Sequence, residues 1–150
     1  MSVPHNGTRT LMNHLQVFAR DQGLLGAGSW WHFGDHEHLV RRWHPLLHIP
    51  IRHPMDVARS WAKRKKTGEV CDDMCSRYQL MLKALSDYPH TTLHRIEDLP
   101  RTHGLNEHVD EDRSLLVREY QQTLRERVVE PNMRFFANFY EDPLDGAGQL

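Results

Sequence analysis

Long apolar runs are missing from this chain. None approaches the ~20 residues that span a bilayer, and the N-terminus lacks the charged-then-apolar order of a secretory leader. A surplus of charge is missing as well. The net charge is −1 over 150 residues and the pI is near 6.9, so nothing global points to nucleic acid or an anionic membrane as partner. Any anion site has to be local. Cysteine is scarce: Cys71 and Cys75 lie four apart, a spacing suited to two small residues on one buried helix face rather than to a disulfide. Reduced thiols point to a cytoplasmic protein. No repeat, low-complexity tract or linker interrupts the chain. The expectation is one domain over residues 1–140, with 141–150 as a flexible tail.

What is present is an ordinary globular balance, 39% hydrophobic and 26% charged. The unusual count is twelve histidines, which make charge sensitive between about pH 5 and 8. Ser2–Val3 reads as a clipped strand, followed by a tight loop and a helix from Gly7 or Thr8 to Gln22–Gly23 carrying Leu11, Leu15, Val17 and Phe18. "SWWHF" (Ser29–Phe33) is aromatic enough for a short strand, and Asp35 can cap a short helix with Leu39, Val40 and Trp43. "PLLHIPI" (Pro45–Ile51) reads as a buried strand that Pro50 pushes toward an edge or a bulge. Pro54 opens a helix ending near Thr67–Gly68. Cys71, Met74, Cys75, Tyr78, Leu82 and Leu85 trace one face of the next helix at 3.6 periodicity. Thr91–Ile96 is a strand, Glu107–Asp112 an acidic loop, and Arg113–Val128 a helix broken at Pro131. "MRFFANFY" would pack a last aromatic helix on the core. Strands alternating with helices predict an α/β fold, a three-layer α/β/α sandwich around a small parallel sheet. Ligands of such sheets bind at the carboxyl ends of the strands.

Two segments fall at such ends. Pro4–Thr10, "PHNGTRT", aims free N–H groups and a helix dipole at one point, as an anion requires. It lacks the lysine and second glycine of a Walker loop. It has Gly7 for close backbone approach and side-chain donors in Thr8, Arg9 and Thr10; an N-cap on an ordinary helix is the bland alternative. In "IRHPMDVARSWAKRKK", Arg52 leaves a strand end, and Ser60 lies eight residues on, about two turns along the helix. An arginine there could fork onto a phosphate, with the Ser60 hydroxyl as second donor. Five of the eight residues Arg59–Lys66 are basic, which by itself reads as a solvated face.

Together the two segments resemble the sulfotransferase superfamily, which uses 3′-phosphoadenosine 5′-phosphosulfate (PAPS) as donor. The first loop keeps Pro4, Gly7, Thr8, Arg9 and Leu11, closest to the heparan-type Gly-Thr-Arg pattern. The family's Arg-x-Pro-x-Asp-x-Ala-x-Ser motif appears whole as Arg52, Pro54, Asp56, Ala58 and Ser60. "HRIEDL" (His94–Leu99) is similar to the family's Tyr-Glu-Asp-Leu strand end. The resemblance covers residues 2–100. It implies a P-loop-like fold in which Pro4, His5, Asn6, Gly7, Thr8, Arg9 and Thr10 hold the 5′-phosphosulfate and Arg52 and Ser60 the 3′-phosphate. It also implies sulfuryl transfer to a small-molecule or glycan acceptor, leaving 3′,5′-adenosine bisphosphate (PAP). The family's loop lysine is His5 here, able to steady the leaving group only when protonated or helped by Arg9. The C-terminal Arg-Lys-Gly element is absent. His32, at the expected end of the second strand, is the candidate base, with Asp35, His36 and Glu37 as rivals. The same stretch also offers metal-ligand types in His32, Asp35, His36 and His38, but Gly34 spoils the helix that would align them. A small-molecule kinase and a non-catalytic nucleotide-binding module are the competing expectations.

Overall fold

A computed structural model describes residues 1–23, 30–65, 70–101 and 110–131. The predicted aromatic helix "MRFFANFY", the tail 141–150 and the start of the acidic loop lie outside them. Helix α1 spans Thr8–Asp21, α2 His38–Trp43, α3 Pro54–Lys65, α4 Val70–Asp87 and α5 Asp110–Thr123. Strand β1 covers His48–Ile51 and β2 covers Thr92–Arg95, paired in parallel with Ile49 opposite Leu93 and Ile51 opposite Arg95. The fold is therefore mixed α/β with a small parallel sheet, as the alternation predicts. No described helix is long and apolar enough to cross a membrane.

The clipped first strand is placed by three bonds. Ser2 N–H donates to Trp31 O and Phe33 N–H to Ser2 O, both at 2.9 Å, which makes a parallel bridge between Ser2 and His32. On the other side the Met1 amino group donates to His48 O at 2.9 Å. Of the expected strand Ser29–Phe33, the described residues 30–33 make this one bridge, and Gly34 turns the chain at φ 99° immediately afterwards.

Pro50 sits inside β1 without breaking it. Leu47 O accepts from Thr92 N–H, and the alternation of a strand turns the Pro50 carbonyl the other way, toward the first loop. The missing N–H thus falls outside the β1–β2 ladder. The Asn6 side-chain amide donates to that carbonyl instead.

One face of the sheet carries the core. Ile49, Ile51 and Leu93 pack against Val57 and Trp61 of α3, and Met74, Tyr78, Met81, Leu82 and Leu85 of α4. From Met74 onward the periodic face read on α4 is the buried one, and Cys75 lies buried on it. α5 begins at Asp110 rather than Arg113, since carboxylates favour the positive end of a helix. It runs on as a π-type turn over Leu124–Val129, whose Leu124, Val128 and Val129 are buried. Arg113, almost fully buried, reaches from α5 to carbonyls of Leu85, Tyr88, Pro89 and Thr91 and so ties down the α4–β2 connection.

The other face carries α1, which buries only Leu11 and leaves Val17 47% exposed. A groove of 570 Å³ runs beside α1, walled by Leu15, Trp31 and Trp43, floored by His48 and Pro50, and ending at Thr8.

Candidate functional site

The loop Pro4–Gly7 closes over the end of β1. His5 and Gly7 both take left-handed backbone, at φ 65° and 85°. At Gly7 the conformation is free of strain and lets the chain pass tight under Ile96, whose Cγ1 would stand 2.5 Å from a Cβ built there. Gly7 is also the N-cap of α1. No side chain caps that helix, no acid stands in its first turn, and the N–H groups of Thr8, Arg9 and Thr10 meet no acceptor among the described residues. Unclaimed donors and the helix dipole thus converge at one point.

Asn6 is fully buried and its side chain faces inward. Its amide nitrogen donates to Pro50 O and touches Met81 Sδ at 3.2 Å, while Oδ1 accepts from the Arg52 N–H at 2.9 Å. Of the loop residues expected to hold an anion, Asn6 is therefore spent on the frame. Thr8 also departs from expectation: its hydroxyl donates to Ser2 Oγ at 2.6 Å, leaving its backbone N–H for a ligand. Arg9 and Thr10 are exposed.

Arg52 leaves β1 directly beside this loop, its Nη1 3.4 Å from His5 O. Ser60 Oγ lies 3.3 Å from His5 Nδ1, and the His5 ring leans on Trp61 at 5.4 Å between centroids. The first-loop residues and the Arg52/Ser60 pair, read as separate segments of the sequence, thus meet at His5. Burial raises the Tyr78 hydroxyl well above its ordinary pKa, with Tyr120 and Glu97 adding to the shift. That hydroxyl donates to Arg52 O at 2.6 Å. At the rim, Glu97 accepts from His53 N–H at 3.2 Å and Asp98 meets Arg95 at 3.5 Å, so both carboxylates brace the sheet end.

Comparison with protein-family models, curated proteins and solved structures finds no match.

The base candidates stand on the far side of the first strand. His32 is half-buried, with Nδ1 3.5 Å from Ser2 Oγ, so Thr8, Ser2 and His32 form one chain of polar contacts. Asp35 does not cap α2. It pairs with Arg77 of α4 at 3.1 Å, a hydrogen bond that pulls its pKa down. Glu37 precedes α2 instead and accepts from Gly34 N–H. His36 packs edge-on against Trp31 at 4.6 Å. Among the described residues no three potential metal ligands gather. The sequence reading missed Ile96 and Tyr78 as parts of this neighbourhood; for Ile96 the only signal was its position just past a strand end.

Proposed function

We propose that this chain binds PAPS and transfers its sulfuryl group to an uncharged acceptor. One observation carries the reading: the Gly7-capped start of α1 and Arg52 are bonded neighbours through Asn6 and His5, 2.9 Å and 3.4 Å apart at the contacting atoms. Two anion-binding elements at adjacent strand ends suit a nucleotide phosphorylated at both 3′ and 5′ positions better than a single polyphosphate. The donor set fits such a ligand: the N–H groups of Thr8, Arg9 and Thr10 for the 5′ group, the Arg52 guanidinium and Ser60 hydroxyl for the 3′ group.

PAPS, when bound, supplies an electrophilic sulfuryl group. The chain's residues orient it and stabilise charge, as in phosphoryl transfer. With no loop lysine, charge on the leaving side falls to the α1 dipole, Arg9 and a protonated His5. His32 acts as base at Nε2 if Nδ1–H donates to Ser2 Oγ, which has lone pairs for both His32 and Thr8. The groove ending at Thr8 supports the acceptor class. Its walls are tryptophan, leucine and methionine, with no acidic side chain and no lysine or arginine among the described residues. An apolar, ring-bearing alcohol or amine fits such a lining better than an acidic glycan, which needs cations and many hydrogen bonds.

Thermal shift tests the reading. PAP and PAPS should each raise the melting temperature, by linkage about 2.7 kcal/mol at a ligand concentration of 100 times Kd, while ATP with Mg²⁺ should not. A response to ATP alone would support the kinase, and a response to none would sink nucleotide binding. A non-catalytic module is the second reading, favoured by the His5 ring being engaged with Ser60. It predicts PAP binding with no product formed from any phenol or aryl alcohol tried.

A further inference from the structure

We propose that Tyr78 and Asn6 are positioning residues that clamp the Arg52 peptide from both sides and so set preference for a 3′-phosphate; the inference rests on the nucleotide reading above. Tyr78 comes from the middle of α4 and Asn6 from the first loop, 72 positions apart. Both side chains are fully buried, yet their polar atoms end on one residue. Asn6 Oδ1 takes the Arg52 N–H at 2.9 Å, and the Tyr78 hydroxyl gives to the Arg52 carbonyl at 2.6 Å. Arg52 lies just past β1, where the ladder with β2 has ended at Ile51 opposite Arg95. Without these side chains, neither polar group of its peptide would have a strand partner.

A tyrosine on a core face needs a reason for its hydroxyl, because phenylalanine would fill the same space with no polar atom to satisfy. Here the hydroxyl has one acceptor, Arg52 O. Asn6 is held from behind by Pro50 O and Met81 Sδ, so it cannot swing with the loop. Met81 lies on the same helix as Tyr78, one turn away. The frame around Arg52 is therefore built from α4, β1 and the loop together. It fixes the point at which the side chain leaves the sheet, with the guanidinium at His5 O and the His5 ring at Ser60. A long side chain pre-aimed in this way loses less entropy on meeting a phosphate.

The test compares PAP with adenosine 5′-phosphate, which lacks the 3′ group, by calorimetric titration of wild type and Tyr78→Phe. The wild type should prefer PAP. In Tyr78→Phe the PAP affinity should fall about 5–10-fold, the worth of one orienting hydrogen bond, with adenosine 5′-phosphate changed less than about 2-fold. A general loosening of the fold would lower both affinities alike, and that result overturns the clamp; so does a PAP preference that survives intact. If the variant does not fold, amide exchange on the wild type without nucleotide decides. An Arg52 N–H protected like those of β1 supports the clamp, and one exchanging like exposed backbone overturns it. Wild type binding both nucleotides alike overturns the reading of the site, and the exchange result then tells whether the clamp exists without that ligand.

Discussion

Replacing Gly7 by alanine probes the closest packing in the candidate site. Left-handed backbone at φ 85° costs a residue with a Cβ about 1–2 kcal/mol. The new methyl would also meet three carbons of Ile96, at 2.5, 2.6 and 3.1 Å. These belong to a branched side chain with little freedom to turn away, so overpacking adds about 1–3 kcal/mol. Together the loss is roughly 2–5 kcal/mol, or a melting temperature lower by roughly 5–15 °C for a chain of this size. Gly23→Ala is the control. It sits at φ 69° with nothing within 4 Å among the described residues and should show only the backbone part, about 1–2 kcal/mol. Ile96→Ala removes every atom that clashes, so in the Gly7→Ala background it should be neutral or stabilising, although in wild type it destabilises. Urea denaturation of the four proteins should give a coupling of about 1–3 kcal/mol. Additivity within about 0.5 kcal/mol would mean that Ile96 does not bear on Gly7, and the argument for a tight loop would fail.

Two further outcomes are expected. Burial, and then the nearby Met1 amino group, lower the pKa of His48 from 6.5, and burial takes the Met1 amino group from 8.0 to about 6. The folded state therefore binds fewer protons than the unfolded one below about pH 8, so stability should be full near pH 8 and decline as pH falls through 6. Urea midpoints across that range, with His48→Gln flattening part of the slope, check this; a midpoint that rises on acidification refutes it. Arg113→Ala should cost about 3 kcal/mol or more, since several buried carbonyls lose their donor together. Arg113→Lys should recover less than half, because one ammonium cannot serve carbonyls on both sides of a guanidinium; an unchanged urea midpoint in Arg113→Ala would show that this tie is idle.

Much of the architecture is legible from local signals. The 3.6 period on α4, Pro54 at the start of α3 and the Gly7–Thr8 start of α1 each place an element close to where it lies. What escaped was decided over long sequence distances. Asp35 has the chemistry of an N-cap, but Arg77, 42 positions on, outcompetes α2 for it. The aromatic run before Gly34 has strand propensity, yet among the described residues it pairs only at His32, and the chain turns straight after. The acidic residues Asp110–Asp112 look like loop by composition and serve as a helix start. In the candidate site, the two segments that meet at His5 could be named from sequence. That Asn6 and the Thr8 hydroxyl turn inward could not, because nothing local distinguishes an asparagine that faces a ligand from one that satisfies Pro50.

The substitution that separates this loop from a lysine-bearing one changes how the site rests. A lysine ammonium carries no acceptor for the Ser60 hydroxyl. The His5 ring nitrogen meets Ser60, while its backbone carbonyl, which a lysine would also have, accepts from Arg52, so both proposed 3′-phosphate ligands are satisfied without nucleotide. On the proposed reading, binding is an exchange of partners: Arg52 and Ser60 leave His5 for the phosphate, and an imidazole beside an anion gains a proton more readily. A histidine rather than a lysine at that position is then part of one design. Cationic help arrives only when the anion does, and PAP binding should accordingly take up a proton near neutral pH, measurable by titration calorimetry in two buffers of different ionisation enthalpy. Binding without proton uptake would leave His5 a spacer and return the charge-stabilising role to Arg9 and the helix dipole alone.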